Sequence, residues 1–250
     1  MRISTSFCLR EVDSTNAFAQ RWLAENGLTP ADSRLPALIT AEIQTAGRGQ
    51  REHTWHSPQG CLMFTLVFSR DAYGLPMAQT PLVGLSVAMA LVDTLRGILP
   101  ETLAEQLNVR WPNDVYFQHR KLSGVLVEGL ANGILVLGMG VNLHNTAQDA
   151  PEELRSTIAT LWDIAPEIAA ATTRETFLNA LLDCFDHRLQ QAAWETETLV
   201  ADLNAICAQK GQQVRLSTSH GEIHGFCTGL SPDGAILIDG QAFYSGTVVK

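Results

Sequence analysis

A chain of 250 residues with 46% hydrophobic content can bury a full core and still leave enough over for a small second module. Its formal net charge of −9 argues against nucleic acid or an anionic membrane as the main partner, because neither attracts a net acidic surface. No apolar run reaches the length of a membrane span, the N-terminus carries no long apolar signal segment, and five scattered cysteines (Cys8, Cys61, Cys184, Cys207, Cys227) include no Cys-x-x-Cys, so they read as reduced, mostly buried thiols of a cytoplasmic protein without a zinc site.

Leu9 to Val12 reads as a short strand. Asp13-Ser14-Thr15-Asn16 is a cluster of helix N-cap residues, with Ala17, Phe18, Trp22 and Leu23 following at helical spacing until Gly27 marks the stop. Capping explains the polar cluster, and so does hydrogen bonding to a ligand; the two are not exclusive. Residues 28–36 hold two prolines and form a loop, after which Ala37 to Thr45 reads as a strand running into Gly47-Arg48-Gly49. The glycines permit positive φ and N–H groups aimed at an anion, and Arg48 adds a planar, charged fork for carboxylate or phosphate. A lone Gly-Arg-Gly is otherwise a common turn. Trp55 either anchors this loop or covers a flat ring.

Cys61 to Ser69 is almost continuously apolar and reads as a central strand. Pro81 to Leu99 reads as a helix apolar nearly all round, hence buried against the sheet, and Leu103 to Leu107 ends that layer. Asn108 to Trp111 leads into Pro112-Asn113-Asp114, a turn signal. Two apolar runs, Val115 to Phe117 and Leu122 to Val127, are split by Gln118-His119-Arg120 and so read as a hairpin. Strict alternation along the second arm puts Lys121, Ser123, Val125 and Val127 on one face and Leu122, Gly124, Leu126 and Glu128 on the other. Lys121 at the mouth of such a sheet is a positioned charge, unless it is a solvated edge residue.

Gly133 to Leu143 is a strand whose Gly138 and Gly140 allow close approach of a ligand or a neighbouring strand. Pro151 to Leu161, Thr173 to Gln191 and Glu195 to Lys210 show helical spacing, with Thr172 or Thr173 capping the second. Gly211 marks a boundary between residues 1–210 and 211–250. Beyond it, Gln213 to Ser217, Glu222 to Leu230, Ala235 to Ile238 and Ala242 to Val249 read as short strands, with a strong turn at Ser231-Pro232-Asp233-Gly234.

Five stretches stand in one order: Ser14-Thr15-Asn16, the Gln44 to Arg51 loop, Arg110-Trp111-Pro112-Asn113-Asp114, Lys121 to Glu128, and Gly138-Met139-Gly140-Val141-Asn142. Together they cover residues 11–143 and closely resemble the biotin protein ligases. The resemblance implies an α+β fold: a mixed central sheet flanked by helices, of the class II synthetase-like biotin/lipoate ligase type, followed by a small SH3-like β-barrel. It implies ATP-dependent formation of biotinoyl-5′-AMP with Mg²⁺, then transfer of biotin to a lysine on the biotin carboxyl carrier domain of acetyl-CoA carboxylase or a related carboxylase. Family members are often dimers, so a homodimer is one state it allows. Ser14 stands too early in the chain to leave room ahead of it for the DNA-binding helix-turn-helix that some members carry.

Residue by residue, the resemblance puts Ser14, Thr15, Asn16, Gln44, Gly47, Arg48, Gly49, Gln50, Lys121 and Gly124 around biotin. Arg51, Trp55, Asn113, Asn142 and Lys250 fall to ATP. Lys121, Arg48 and Asp114 fall to catalysis, with Asp114 on the metal. Two departures stand out: Gln50 replaces a frequent arginine, removing a charge from the phosphate side, and Glu52 replaces a glycine. A lipoate or octanoyl ligase is the nearest rival, but its Arg-Arg-x-x-Gly-Gly-Gly loop is missing. More distant rivals are a transcriptional regulator and a catalytically dead biotin-binding module.

Overall fold

The computed structural model describes residues 1–50 and 53–249, the Ala78 side chain excepted. In chain order the elements are β1 (Thr5–Val12), α1 (Thr15–Asn26), β2 (Ala37–Gln44), β3 (Leu62–Ser69), α2 (Thr80–Arg96), a one-turn α3 (Glu101–Ala104), β4 (Leu107–Arg110), β5 (Asp114–Phe117), β6 (Arg120–Gly129) and β7 (Ile134–Val141). There follow α4 (Glu152–Arg155), α5 (Leu161–Ile164), α6 (Pro166–Ala171), α7 (Arg174–Trp194) and α8 (Thr196–Ala205). The chain ends in β8 (Gln213–Thr218), β9 (Gly221–Leu230), β10 (Ile236–Ile238), β11 (Gln241–Phe243) and β12 (Thr247–Val249).

Strands β1 to β7 form one seven-stranded sheet in the order β1-β2-β3-β7-β6-β5-β4. Only β1 and β2 pair in parallel, because α1 carries the chain across between them; the other neighbours are antiparallel. The two central strands β3 and β7 are buried along their whole length, which is why their sequences run apolar without alternation. On one face α2, α7 and α8 build the main core with Phe64, Phe68, Phe177 and Phe185. On the other, α1 buries Ala19 and Leu23 against Ile39, Val67 and Val136, and Phe7 meets Phe18 and Trp22 edge-on at 5.3 Å. The fold is therefore α+β, with a mixed sheet between helical layers. Strands β8 to β12 form a second, antiparallel sheet in the order β11-β10-β9-β8-β12, consistent with an SH3-like module.

Several boundaries differ from the sequence expectations, each for a tertiary reason. β1 begins at Thr5 rather than Leu9, its small polar residues being held by the whole register from Thr5 opposite Ala37 to Val12 opposite Gln44. The helix expected over 151–161 breaks after Arg155: Lys121 N–H donates to Thr157 O (2.7 Å) and Ala159 N–H to Lys121 O (2.8 Å), so this stretch is extended beside β6. The helix expected to reach Lys210 stops at Ala205, because Val109 N–H donates to Ile206 O and Ala208 N–H to Val109 O, both at 2.9 Å. The single strand expected over Ala242 to Val249 splits, β11 pairing with β10 and β12 crossing to the far edge to pair with β8.

Candidate active site

A cavity of about 330 Å³ opens over β6 and β7, between the start of α1, the glycine loop, the 111–114 turn and the segment Gly246–Val248 of the second sheet. Of the residues singled out from sequence, Ser14, Thr15, Asn16 and Gln44 line one part of it. Arg48, Gly49, Gln50 and Trp55 line it from the loop, and Asn113, Asp114, Lys121 and Gly124 from the hairpin. Gly47 and Asn142 are not among its lining residues. Arg51, Lys250 and the variant position Glu52 lie outside the described residues.

Strict alternation along β6 fails at one place, and the site depends on that failure. Asp114 pairs with Gly124 and Val115 with Ser123, but Tyr116 pairs with Lys121, so Leu122 is an extra residue without an opposite number. This β-bulge shifts the period by one. Lys121 consequently shares its face with Gly124 rather than with Ser123 and Val125, contrary to the simple reading. A Cβ on Gly124 would stand 3.2 Å from Lys121 Nζ and 3.3 Å from Asp114 Oδ1, so the glycine makes room for both charges. Lys121 Nζ pairs with Asp114 Oδ2 at 2.7 Å and lies 5.7 Å from the Trp55 ring.

At the other end the polar cluster does not cap its helix. Ser14 occupies the N-cap position, yet its side chain makes no capping bond and it is buried. Thr15 donates through both N–H (2.8 Å) and Oγ1 (3.1 Å) to Gln44 Oε1, whose amide nitrogen donates in turn to Ser57 Oγ at 3.2 Å. Asn16 accepts from the buried Thr65 hydroxyl at 2.6 Å and donates to Glu128 Oε2 at 2.8 Å. Asn16 lies so close over Gly138, and Trp55 over Gly140, that a Cβ would come within 2.1 and 2.4 Å of them. The two glycines exist for those side chains.

The glycine loop departs from expectation in three ways. Neither Gly47 nor Gly49 has positive φ; each is glycine because a Cβ would stand 2.5 Å from Trp55 O or 3.0 Å from His53 O. The Gly49 N–H is not free for an anion, since it donates to His53 O at 2.7 Å beside an antiparallel bridge between Arg48 and Thr54. Arg48 is not beside Lys121: its Nη2 pairs with Glu128 Oε1 at 2.9 Å. Glu128 stands four residues beyond Gly124, roughly 13 Å along the strand at about 3.3 Å per residue. Asn142 also turns away from the cavity, donating to Lys121 O (3.4 Å) and accepting from Cys61 Sγ (3.4 Å) and Asn145 Nδ2 (3.2 Å). It braces the backbone of Lys121.

Sequence reasoning gave no role to Glu128, Thr65 or Arg110. Arg110 lines the cavity, stacks over the Tyr116 ring at 4.7 Å and buries its Nε with no hydrogen-bond partner, making it a further cation in the site. Its signal was its place at the head of the Trp-Pro-Asn-Asp run. The segment Gly246–Val248 carries no motif at all. Among the described residues, Asp114 is the only acidic residue lining the cavity, and no cluster of three or more His, Cys, Asp or Glu is placed to hold a metal.

The mixed sheet, the polar-ended cavity and the Lys121–Asp114 pair at its mouth can be set beside known proteins. Residues 10–143 match the model of the biotin/lipoate A/B protein ligase family, and the chain belongs to that family. Within it, the chain is 32% identical over 241 residues to the biotin--[acetyl-CoA-carboxylase] ligase of Paracoccus denitrificans, covering 94% of each protein. It superposes on a biotin protein ligase from Aquifex aeolicus in complex with biotin and ATP with a TM-score of 0.75 and 28% identity, covering 98% of this chain and 97% of that one. The bifunctional ligase/repressor BirA of Bacillus subtilis is 27% identical over 208 residues, and there the chain spans 61% of its relative's length.

Proposed function

We propose that the protein activates biotin as biotinoyl-5′-AMP and passes the biotinoyl group to a lysine on the biotin carboxyl carrier domain of acetyl-CoA carboxylase or a related carboxylase. The observation that carries this is a single cavity with a fixed hydrogen-bonding end (Ser14, Thr15, Asn16, Gln44) and a lysine at the other. A ureido ring offers a carbonyl and two N–H groups to such an end. The dithiolane of lipoate and the tail of octanoate offer none, and would leave the polar groups unpaired at a cost of about 1–3 kcal/mol each.

In the first step a biotin carboxylate oxygen attacks the α-phosphorus of ATP, and the bond to the pyrophosphate oxygen breaks. Anion meets anion, so the work is charge screening and alignment. Lys121 is placed for it, exchanging its bond to Asp114 for the reacting oxygens. Asp114 suits Mg²⁺, which takes one or two carboxylates and completes its shell with water and phosphate oxygens; bound there, the ion would offset the charge of the triphosphate. Trp55 and Asn113 form the wall on the nucleotide side. In the second step the acceptor amine attacks the acyl carbon, AMP leaves with the bonding electrons, and a proton is lost from nitrogen. Residues 211–250 act as a separate C-terminal domain that closes one side of the cavity with Gly246–Val248.

The test is exchange of labelled pyrophosphate into ATP with biotin, lipoate or octanoate as the acid, followed by transfer to a purified carrier domain. Biotin alone should support exchange. Exchange driven by lipoate or octanoate and not by biotin would sink the proposal.

A further inference from the structure

Beside the polar end of the cavity, bonded to the lining residue Asn16, stands one anion that the ligase reading leaves without a task. Glu128, on β6, has its side chain 22% exposed and uses both oxygens. Oε2 accepts from Asn16 Nδ2 at 2.8 Å, and Oε1 takes the Arg48 guanidinium at 2.9 Å, with a longer Nη1 contact to Oε2 at 3.5 Å. Asn16 Nδ2 also reaches Leu126 O at 3.5 Å, while Asn16 Oδ1 accepts from Thr65 at 2.6 Å.

A carboxylate accepts hydrogen bonds and cannot donate them. The group of Asn16 that faces Glu128 must therefore be its NH₂, and the oxygen must face Thr65 and Gly138. With both N–H directions taken, Asn16 can show a ligand only the second lone pair of Oδ1. Were residue 128 neutral, the amide could turn over and show N–H instead, which would repel a ureido N–H. The same carboxylate ties the glycine loop to the sheet through Arg48.

We infer that Glu128 is a positioning residue: it fixes Asn16 as an acceptor for a ligand N–H and, through Arg48, ties the glycine loop to the sheet. Glu128 itself touches no reacting atom. This rests on the biotin ligase reading, and it assigns Arg48 first to holding the loop.

The experiment compares wild type with E128Q and E128D, measuring biotin KM and kcat in pyrophosphate exchange and the rate of tryptic cleavage after Arg48 in the ligand-free protein. E128Q should be cut faster and should show a KM for biotin raised roughly tenfold with kcat within about twofold. E128D, which keeps an acceptor-only group, should recover most of the KM. An E128Q protein that matches wild type in both KM and ligand-free cleavage overturns the inference. So does an equal loss of kcat in E128Q and E128D with no change in KM, which is what damage to the fold alone would give. If wild type shows no biotin-dependent exchange, the ligase reading fails by itself, and the ligand-free cleavage of E128Q still decides whether Glu128 ties down the loop.

Discussion

Lys121 is held by its backbone before its charge comes into play. Its N–H and C=O both pair with the 157–159 stretch, and Asn142 donates to the same carbonyl. Its ammonium, about one-third exposed, meets Asp114 in an ion pair of the partly solvated kind that contributes little to stability. Lys121→Ala should thus lose about 10²–10³ in the rate of adenylate formation, while its melting temperature stays close to wild type; pyrophosphate exchange and a thermal melt measure the two. Behind it, burial pushes the Cys61 thiol up to about 12, with Arg174 pulling down and Asp149 pushing up more weakly. In the unfolded chain the thiol ionises near its ordinary value of 9.0, so the folded state loses stability as pH rises from there toward about 12, and Cys61 exerts no such effect below that window. At pH 8 an alkylating reagent should label the exposed Cys8 and spare Cys61 until denaturant is added, as read by mass spectrometry.

Among the elements, the helices show how far local signals reach. α7 starts where Thr173 predicts, with Thr173 Oγ1 accepting from Thr176 N–H at 3.1 Å and Thr176 Oγ1 accepting from Thr173 N–H at 3.1 Å. Thr173→Ala should cost about 1 kcal/mol, seen as a lower denaturant midpoint with an unchanged slope. Gly27, at φ 57°, ends α1 as its position foretold. The helix ends near 155 and 205 were not legible, because nothing local stops those helices. They stop where β6 and β4 have backbone groups to be satisfied, and pairing there outweighs another turn of helix. The bulge at Leu122 was hidden for the same reason: a run of apolar residues reads identically with or without one residue out of register.

At the scale of the molecule, the second sheet is docked through the turn that carries the site. Trp111 Nε1 donates to Gly234 O at 3.0 Å, and Gln209 answers both backbone groups of Trp111, accepting from its N–H at 3.1 Å and donating to its carbonyl at 3.2 Å. Gly234, at φ 87°, also leaves no space for a side chain against Leu82. Trp111→Phe keeps the ring but strands a buried carbonyl, and should cost about 1–3 kcal/mol, with proteolysis reaching the C-terminal strands at lower denaturant than in wild type. The order of the five motifs, the central strands, the hairpin and a lysine held at the start of its second arm were all readable in the chain, because turn chemistry, glycine placement and the apolar period act over a few residues. The face that Lys121 shares, the partner that Arg48 takes, the acceptor polarity of Asn16 and the wall formed by Gly246–Val248 were settled only by folding. Each depends on groups up to more than a hundred residues apart whose local options are nearly equal in energy, so that only the packed molecule can choose between them.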